Sequence, residues 1–221
     1  MQLIKTSSPE SAVKQLVAKL DAALSHHTHV VWFLSGGSAL PIAVQVMAQL
    51  TQDLSKLTIM QIDERFGPVG HKDSNWQQLQ DAGFEARGAR CQPVLTGLPL
   101  EETVARYQSL MHQALQDGAQ LIGLFGIGAD GHTAGLLPDS SALNETSQLV
   151  TSYQGPDFMR ITLTIPAITQ FGVAVAQVSG AAKLPTLRDL QTDLPPSQQP
   201  AQILKRIPKC YIYNDYLEGA V

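Results

Sequence analysis

Two hydrophobic patterns alternate along the chain, and together they predict strands separated by helices. Short, nearly continuous hydrophobic runs predict buried strands, because a strand covered on both faces has no polar side. Stretches in which hydrophobic residues recur every three or four positions predict amphipathic helices. The predicted strands cover residues 29–34, 57–62, 121–125, 160–165 and 172–178, and the predicted helices cover residues 9–24, 41–50, 74–82 and 100–116. A further helix is expected after Gly180, and at most one short strand is expected in the tail from Tyr211.

This alternation predicts an α/β fold, namely a doubly wound, mostly parallel sheet with helices on both faces, of the Rossmann-like type. The 221 residues contain no internal repeat and suit a single domain over residues 1–221. Only the segment 194–200 has the composition of a linker, and it comes too late in the chain to separate two domains.

The amino-acid composition excludes several classes of function. Hydrophobic residues make up 44% of the chain, enough for a sizeable core, and the net charge of -4 argues against nucleic-acid binding by general electrostatics. The two cysteines, Cys91 and Cys210, are far apart and form no zinc-binding pattern, which indicates reduced thiols. There is no segment typical of a signal peptide, and the longest hydrophobic runs are too short to cross a bilayer. We expect a cytoplasmic protein that binds neither membrane nor nucleic acid.

Three polar loops follow three of the predicted strands, at residues 35–38, 63–65 and 126–132. Ligands of open α/β sheets bind beyond the carboxyl ends of the strands, so these loops are expected to meet at one edge of the sheet. The first loop contains Gly36, Gly37 and Ser38 ahead of a helix, where free backbone N–H groups suit a phosphate. An ordinary glycine turn has the same composition.

Charged residues near the other loops extend this picture. Asp63 and Arg65 suit a polyhydroxy ligand with an anionic group, although a solvated salt-bridge cluster would have the same sequence. Residues 73–75 suit the cap of the next helix. Lys183 and Arg160 stand where each could meet an anion, but a surface lysine and an outward arginine are equally compatible with the pattern.

The third loop, Gly126–Pro138, carries an aspartate and a histidine among glycines. Histidine accepts a proton near neutral pH, and a neighbouring carboxylate fixes its tautomer and favours its charged form. The pair Asp130 and His132 therefore indicates general-base chemistry, with a histidine that only binds its own loop as the alternative. The other five histidines lack such surroundings.

With these residues in place, the chain resembles the 6-phosphogluconolactonase family, which belongs to a larger group with glucosamine-6-phosphate deaminase. The resemblance rests on five ordered segments: SGGS at 35–38, DER at 63–65 with DSNW at 73–76, GIGADGHTAGLLP at 126–138, RITLT at 160–164, and VSGAAK at 178–183. They span most of the chain, and the glycine–aspartate–glycine–histidine segment is the most specific.

The resemblance implies hydrolysis of 6-phospho-D-glucono-1,5-lactone to 6-phosphogluconate, the second step of the oxidative pentose phosphate pathway, with neither an organic cofactor nor a catalytic metal. It makes His132 the general base that activates water and Asp130 its support. Gly36, Gly37 and Ser38 would hold the phosphate, and Lys183, Arg65 and Arg160 would meet phosphate or lactone oxygens. Asp63 would bind the sugar. The expected partner is the phosphosugar lactone alone, bound by a monomer or a small homo-oligomer.

Two departures from the family pattern fall near the expected pocket. The family usually has threonine and proline after GGS, where this chain has Ala39-Leu40-Pro41, and usually has serine after HTA, where this chain has Gly135. A deaminase would carry a glutamate five residues after the histidine, and Leu137 stands there instead. A phosphosugar sensor without catalysis is the other alternative, and it would not need His132 and Asp130.

Overall fold

The computed structural model describes residues 1–221 and contains two sheets. The eleven strands are β1 Gln2–Lys5, β2 Val30–Leu34, β3 Leu57–Gln61, β4 Asp63–Arg65, β5 Arg90–Cys91, β6 Gln120–Phe125, β7 Val150–Gln154, β8 Met159–Leu163, β9 Val173–Val178, β10 Lys209–Asn214 and β11 Gly219–Ala220. The six α-helices are α1 Glu10–His26, α2 Leu40–Gln49, α3 Asn75–Asp81, α4 Leu100–Gln116, α5 Ile165–Ile168 and α6 Leu184–Asp189. Short 3-10 turns cover Gly37–Ala39, Leu54–Lys56, Ser141–Asn144, Ala181–Lys183 and Pro200–Arg206.

The large sheet has eight strands in the order β11-β1-β10-β9-β6-β2-β3-β5. All neighbouring pairs are parallel except β1 and β11. The strand order reverses between β2 and β6, because the chain runs outward from β2 through β3 and β5 and then returns to the other side of β2. Such a reversal leaves a crevice at the carboxyl ends of the two strands, where doubly wound folds bind ligands.

Helices cover both faces of the large sheet, so the predicted fold class is confirmed. Alternation along β2 shows why: Val31 and Phe33 pack into the core under α4, α5 and α6, whereas Trp32 and Leu34 pack into the core under α1 and α2. The central strands β2, β6 and β9 are buried on both faces, which explains their continuous hydrophobic sequences. No helix is long and hydrophobic enough to cross a membrane.

The boundaries of α1 to α4 agree closely with the sequence pattern, and α4 has the predicted bounds, whereas α5 was not predicted because Ile165 was assigned to the preceding strand. The start of α1 illustrates the local chemistry, since the Ser8 hydroxyl accepts a hydrogen bond from the backbone N–H of Glu10 at 3.2 Å. The predicted helix after Gly180 is present as the 3-10 turn Ala181–Lys183 followed by α6.

A small antiparallel sheet in the order β4-β8-β7 was not expected. The predicted strand at 160–165 exists as β8, but it pairs with β4 and β7 instead of joining the parallel sheet. The segment 63–65, expected as a loop, is strand β4. Its three residues pair with Arg160–Thr162 of β8, which accounts for the difference.

The prediction for the C-terminal tail was wrong. The tail holds two strands, and the longer one, β10, lies between β1 and β9 inside the large sheet. Cys210 and Ile212 of β10 are buried, so this strand is part of the core. The segment 194–200 does not behave as a linker either, because Gln199 and Pro200 are buried and Gln199 donates a hydrogen bond to the backbone oxygen of Thr186 at 2.8 Å.

Candidate active site

A polar pocket of about 190 Å³ opens at the carboxyl ends of β2, β6 and β9, beside the small sheet. Eight of the nine residues predicted for the site line it: Gly36, Gly37, Ser38, Asp63, Arg65, His132, Arg160 and Lys183. Six further lining residues were not predicted: Ser35, Asn75, Gly126, Ile127, Gly128 and Ala134. The expected clustering of the three loops at one edge of the sheet is therefore observed.

A larger groove, of about 250 Å³, lies at the opposite, amino-terminal ends of β2 and β3. Lys56, Arg90 and Asp117 are among its lining residues, and none of the predicted site residues reaches it. The chemistry expected from the sequence is confined to the carboxyl-end pocket.

His132 and Asp130 form a hydrogen-bonded pair in the loop after β6. The His132 Nδ1 lies 2.6 Å from the Asp130 Oδ1, and the backbone N–H of His132 donates to the same oxygen at 3.1 Å. With Nδ1 donating to the carboxylate, the neutral imidazole keeps its lone pair on Nε2, which has no partner in the protein. Asp130 lies behind the histidine and does not line the pocket.

The loop backbone is shaped to bring this pair together. A side chain at position 128 would overlap both the His132 ring and the Asp130 carboxylate, so only glycine fits there. The backbone N–H of Gly128 donates to the His132 oxygen at 2.9 Å and closes the loop. Burial alone would raise the pKa of Asp130, but the hydrogen bonds and charge of His132 outweigh it and lower this pKa.

Asp63 and Glu64 have opposite orientations at the end of β3. Asp63 lines the pocket and is 8% exposed. Burial, together with the negative charge of Glu64, raises the pKa of Asp63 to about 6, although the positive charges of Arg160, Arg65 and His132 act against this rise. Because both carboxylates are buried, the interpretation of this segment as a solvated salt-bridge cluster is wrong.

Glu64 is fully buried and holds β4 to the start of α3. Its carboxylate accepts hydrogen bonds from five donors: the Gln61 side chain, the Ser74 hydroxyl, and the backbone N–H groups of Arg65, Asn75 and Trp76. Three of these donors belong to the first turn of the helix or its cap, where the helix dipole also favours a negative charge. Glu64 therefore has a structural position outside the pocket.

Arg65 and Arg160 stand directly opposite each other in the β4–β8 pairing, and both line the pocket. The Arg65 guanidinium donates to the Asp73 backbone oxygen at 2.9 Å, whereas Arg160 pairs with the Asp157 carboxylate at 2.9 Å. Like charges directly across a strand pair repel each other, so this arrangement favours an anion between them.

Lys183 supplies a third cationic group from the turn after β9. Its ammonium group has no hydrogen-bond or ion-pair partner in the protein, and burial lowers its pKa because desolvation disfavours the charged form. The turn is fixed by Gly180, whose backbone N–H donates to the Asp215 carboxylate at 2.8 Å. An anionic ligand would supply the partner that Lys183 lacks.

The glycine loop forms a single 3-10 turn over Gly37–Ala39 that leads directly into α2. The first N–H groups of such a turn have no acceptor within the helix, and Gly36, Gly37 and Ser38 all line the pocket. This geometry suits a phosphate.

Unmet hydrogen bonds are concentrated at this pocket. Seven buried side-chain polar atoms in the protein lack a partner, and four of them belong to residues that line the pocket: the Ser35 Oγ, the Arg65 Nε, the Asn75 Oδ1 and the Arg160 Nε. Buried polar atoms are nearly always paired, so this cluster indicates a polar ligand. Nowhere do three His, Cys, Asp or Glu side chains come close enough together to share a metal ion.

Asn75 is the most informative residue that the sequence analysis missed. It begins α3, and the segment 73–75 has the composition of a helix cap. Because a cap accounts for an asparagine at this position, Asn75 was not assigned to the site. Its position shortly after the strand-end segment 63–65 was the available signal in the sequence. Ser35 was missed because it ends a hydrophobic strand and precedes the glycines that attract attention.

Comparison with known proteins places these observations in a family. Residues 5–211 match the family model described as glucosamine-6-phosphate isomerases/6-phosphogluconolactonase. A 6-phosphogluconolactonase of Caulobacter vibrioides is 29% identical over 209 residues, which are 89% of this chain and 88% of that protein. A 6-phosphogluconolactonase of Synechocystis is 28% identical over 207 residues, with 89% and 86% covered.

Solved structures agree in fold. A 6-phosphogluconolactonase of Thermotoga maritima superposes with a TM-score of 0.83 at 22% identity, covering 96% of this chain and 97% of that one. A monomeric glucosamine-6-phosphate deaminase superposes with a TM-score of 0.79 at 16% identity, covering 97% of each chain. At these identities the two superpositions describe the fold and do not distinguish the reactions.

Proposed function

The chain belongs to the family of glucosamine-6-phosphate isomerases and 6-phosphogluconolactonases, and we propose that it hydrolyses 6-phospho-D-glucono-1,5-lactone with His132 as the general base. Curated relatives named 6-phosphogluconolactonase match most of their own length and most of this chain, so it is an enzyme of that type. The observation that carries the assignment of residues is the convergence of the His132–Asp130 pair and three cationic side chains on one pocket.

The chemistry follows from the residue types. A lactone is an activated ester, so water needs only a positioned base and no covalent nucleophile. The His132 Nε2 takes a proton from water as its oxygen bonds to C1 of the lactone. The tetrahedral intermediate then collapses, the bond between C1 and the ring oxygen breaks, and the ring oxygen receives the proton from His132. The new carboxylic acid loses its proton to solvent.

Asp130 supports this cycle through its position behind the ring. Its hydrogen bond to Nδ1 keeps the lone pair on Nε2 while the histidine is neutral, and its charge stabilises the imidazolium that forms during attack. The oxyanion on C1 needs a nearby cation or N–H donor, and the arginine pair is a source of positive charge within the same pocket.

The phosphate of the substrate belongs beside the glycine turn that lines the pocket. The turn of Gly36, Gly37 and Ser38 offers unpaired N–H groups, and Lys183 offers an unpaired ammonium group beside it. The arginine pair adds charge from the small sheet. Asp63 lines the same pocket and is suited to a sugar hydroxyl.

The pocket favours the lactonase over the deaminase and the sensor. Asp63 is the only carboxylate among the lining residues, and Leu137 stands where a deaminase would carry its glutamate. A sensor would bind a phosphosugar without needing a histidine–aspartate pair.

We further propose that residues 1–221 act as one α/β domain and that the active form is a monomer or a small homo-oligomer. A cytoplasmic location stays a prediction from the sequence.

The first test is hydrolysis of freshly generated 6-phosphogluconolactone, measured against its spontaneous rate. A general base contributes roughly 10²–10⁴-fold, so His132→Ala should lower kcat by that factor while KM changes little. His112→Ala, which replaces an exposed histidine on α4, is the matched control and should keep full activity.

Glucosamine 6-phosphate is assayed in parallel to separate the alternatives. Release of ammonia from it would favour the deaminase. A folded wild-type protein that binds 6-phosphogluconate but does not accelerate lactone loss would favour the sensor and overturn the proposal.

A further inference from the structure

We propose that Asn75 determines substrate specificity: its Oδ1 accepts a hydrogen bond from a ring hydroxyl group of the sugar lactone, while its Nδ2 holds Asp63 in place. This inference rests on the proposed function, because it names a group of the substrate in the same pocket. Four observations carry it: the orientation of the amide, the burial of its oxygen, the missing hydrogen-bond partner of that oxygen, and the absence of any other task for it.

The orientation of the Asn75 amide is fixed by Asp63. Nδ2 donates to the Asp63 backbone oxygen at 3.0 Å and to its carboxylate oxygen at 3.4 Å. Rotating the amide by half a turn would place its oxygen against these two acceptors, so only one orientation satisfies the network. Oδ1 must therefore point away from Asp63.

Oδ1 then lies against Gly36, the first glycine of the phosphate loop. A side chain at position 36 would overlap the Asn75 amide oxygen, so the absence of a Cβ at Gly36 is what lets the amide lie there. Both residues line the pocket. The amide oxygen thus stands on the wall between the phosphate loop and Asp63, where the hydroxyl-bearing part of the substrate would lie.

This oxygen is buried and has no hydrogen-bond partner. Asn75 is 4% exposed, and its Oδ1 is one of the few buried polar atoms that the protein leaves unpaired. An unpaired acceptor in such a place is costly unless a ligand completes it. A carbonyl oxygen can only accept, so the completing group must be a donor, and on a phosphosugar lactone the donors are hydroxyl groups.

No local task requires an asparagine here. The cap of α3 is provided by Ser74, whose hydroxyl accepts from the Gln77 N–H at 3.1 Å. The tie from residue 75 to Glu64 uses only its backbone N–H, which any residue except proline supplies. The amide side chain is left with its Nδ2 bonds to Asp63 and with one unpaired acceptor, Oδ1.

The test compares the full lactone with its 2-deoxy, 3-deoxy and 4-deoxy forms, each generated by oxidation of the corresponding sugar phosphate. In the wild type, loss of the hydroxyl that meets Asn75 should lower kcat/KM by roughly 10- to 100-fold, because it leaves the buried oxygen unpaired. In Asn75→Ala, the kcat/KM values of the full lactone and of that one deoxy lactone should agree within about threefold, because the hydrogen bond to Asn75 that distinguishes the two substrates is gone.

A purely structural role gives a different result. If Asn75 only positions Asp63, Asn75→Ala lowers kcat/KM by the same factor for all four lactones, and the inference is overturned. Gln80→Ala, which replaces an exposed amide on the same helix, is the matched control. It should leave the kcat/KM of each deoxy lactone relative to the full lactone unchanged.

The inference can fail separately from the proposed function. Dissociation constants of 6-phosphogluconate and its three deoxy forms, measured by calorimetry on wild type and Asn75→Ala, give the same comparison without turnover. If the wild type fails to hydrolyse the lactone, the proposed function fails, while the binding cycle still tests Asn75. Equal affinity of the wild type for all four acids would contradict the inference.

Discussion

At the scale of single residues, Asp63 shows how the pocket is made at the expense of stability. Asp63 is 8% exposed and next to the buried Glu64, and its carboxylate accepts a hydrogen bond from the Asn75 amide at 3.4 Å. A buried polar side chain facing an open pocket is typical of a residue kept for a ligand and not for the fold.

The pH dependence of stability tests this position. The pKa of Asp63 is about 6 in the fold, whereas an aspartate in an unfolded chain titrates near ~4. The folded protein therefore holds this proton more tightly, so the free energy of unfolding falls as pH rises between these values and is level above them. Asparagine does not titrate, so Asp63→Asn should raise the free energy of unfolding at pH 8, and the gain should shrink as pH falls to 5.

Urea denaturation at pH 5, 6 and 8 measures this effect. Asp189→Asn is the control, because Asp189 is exposed and its carboxylate has no hydrogen bond in the protein. A stabilisation by Asp63→Asn that is the same at all three pH values, or a loss of stability at pH 8, would contradict the expected titration.

At the scale of elements, the histidine loop is held to the small sheet by Gly135. Its backbone N–H donates to the Thr162 hydroxyl at 3.0 Å, and its backbone oxygen accepts from the Tyr153 hydroxyl at 2.6 Å. This contact gives a structural reason for one departure noted in the sequence. A Cβ at position 135 would lie 2.7 Å from the Thr162 Cβ and 3.1 Å from the Asp63 Cβ, so the serine usual in similar sequences does not fit beside these neighbours.

Gly135→Ala should therefore lower the free energy of unfolding by about 1–3 kcal/mol, the usual cost of adding a methyl group to a filled site. Gly126→Ala is the matched control in the same loop, since its added Cβ would meet only the Ser35 Cβ, at 3.9 Å. Chemical denaturation of both variants measures the difference. Equal losses in the two variants would show that position 135 is no tighter than position 126.

The elements also show what could be predicted from the sequence. β2, β3, β6 and β9 were predicted because each is a hydrophobic run buried on both faces and followed by a polar loop. β4 and β7 were not, because both are largely polar. β4 is defined by pairing with β8 across a long stretch of chain, and β7 by a hairpin with β8. The tail was misjudged because β10 takes its place inside the sheet by pairing with β1, at the other end of the chain, and with β9, and the local sequence does not show these pairings.

The same limits apply to the site. The sequence brought the glycine loop, His132 and Lys183 together because parallel strands end at one edge. It could not assign Asn75 to the site, because the helix-cap pattern already accounted for an asparagine there. It also could not predict that Arg65 and Arg160 lie opposite each other, because that depends on the register of a sheet that was not predicted.

At the scale of the whole molecule, charge is distributed unevenly. The chain carries a net charge of -4, yet Arg65, Arg160 and Lys183 converge on one small pocket. Their mutual repulsion is a cost that the ligand-free protein bears. Binding of an anion relieves that repulsion, so it should stabilise the fold as well as occupy the site.

Inorganic phosphate should accordingly raise the midpoint of thermal unfolding relative to chloride at equal ionic strength. At 100 times its Kd, a ligand of the native state adds about 2.7 kcal/mol to the free energy of unfolding. Arg65→Gln and Lys183→Gln should each reduce the shift, whereas Arg188→Gln, an exposed arginine on α6, should leave it intact. An identical shift in all variants would place phosphate elsewhere on the protein.

The two sheets meet at Ile62, a single residue whose N–H donates to the Leu34 oxygen of the large sheet and whose oxygen accepts from the Leu163 N–H of the small one. The proposed base and phosphate loop stand on the large sheet, and the arginine pair stands on the small one. Substitutions in β7 and β8 can therefore alter which anion is accepted while the histidine loop stays in place, provided that they spare Tyr153 and Thr162, which bind that loop through Gly135. This arrangement suits a family with more than one reaction.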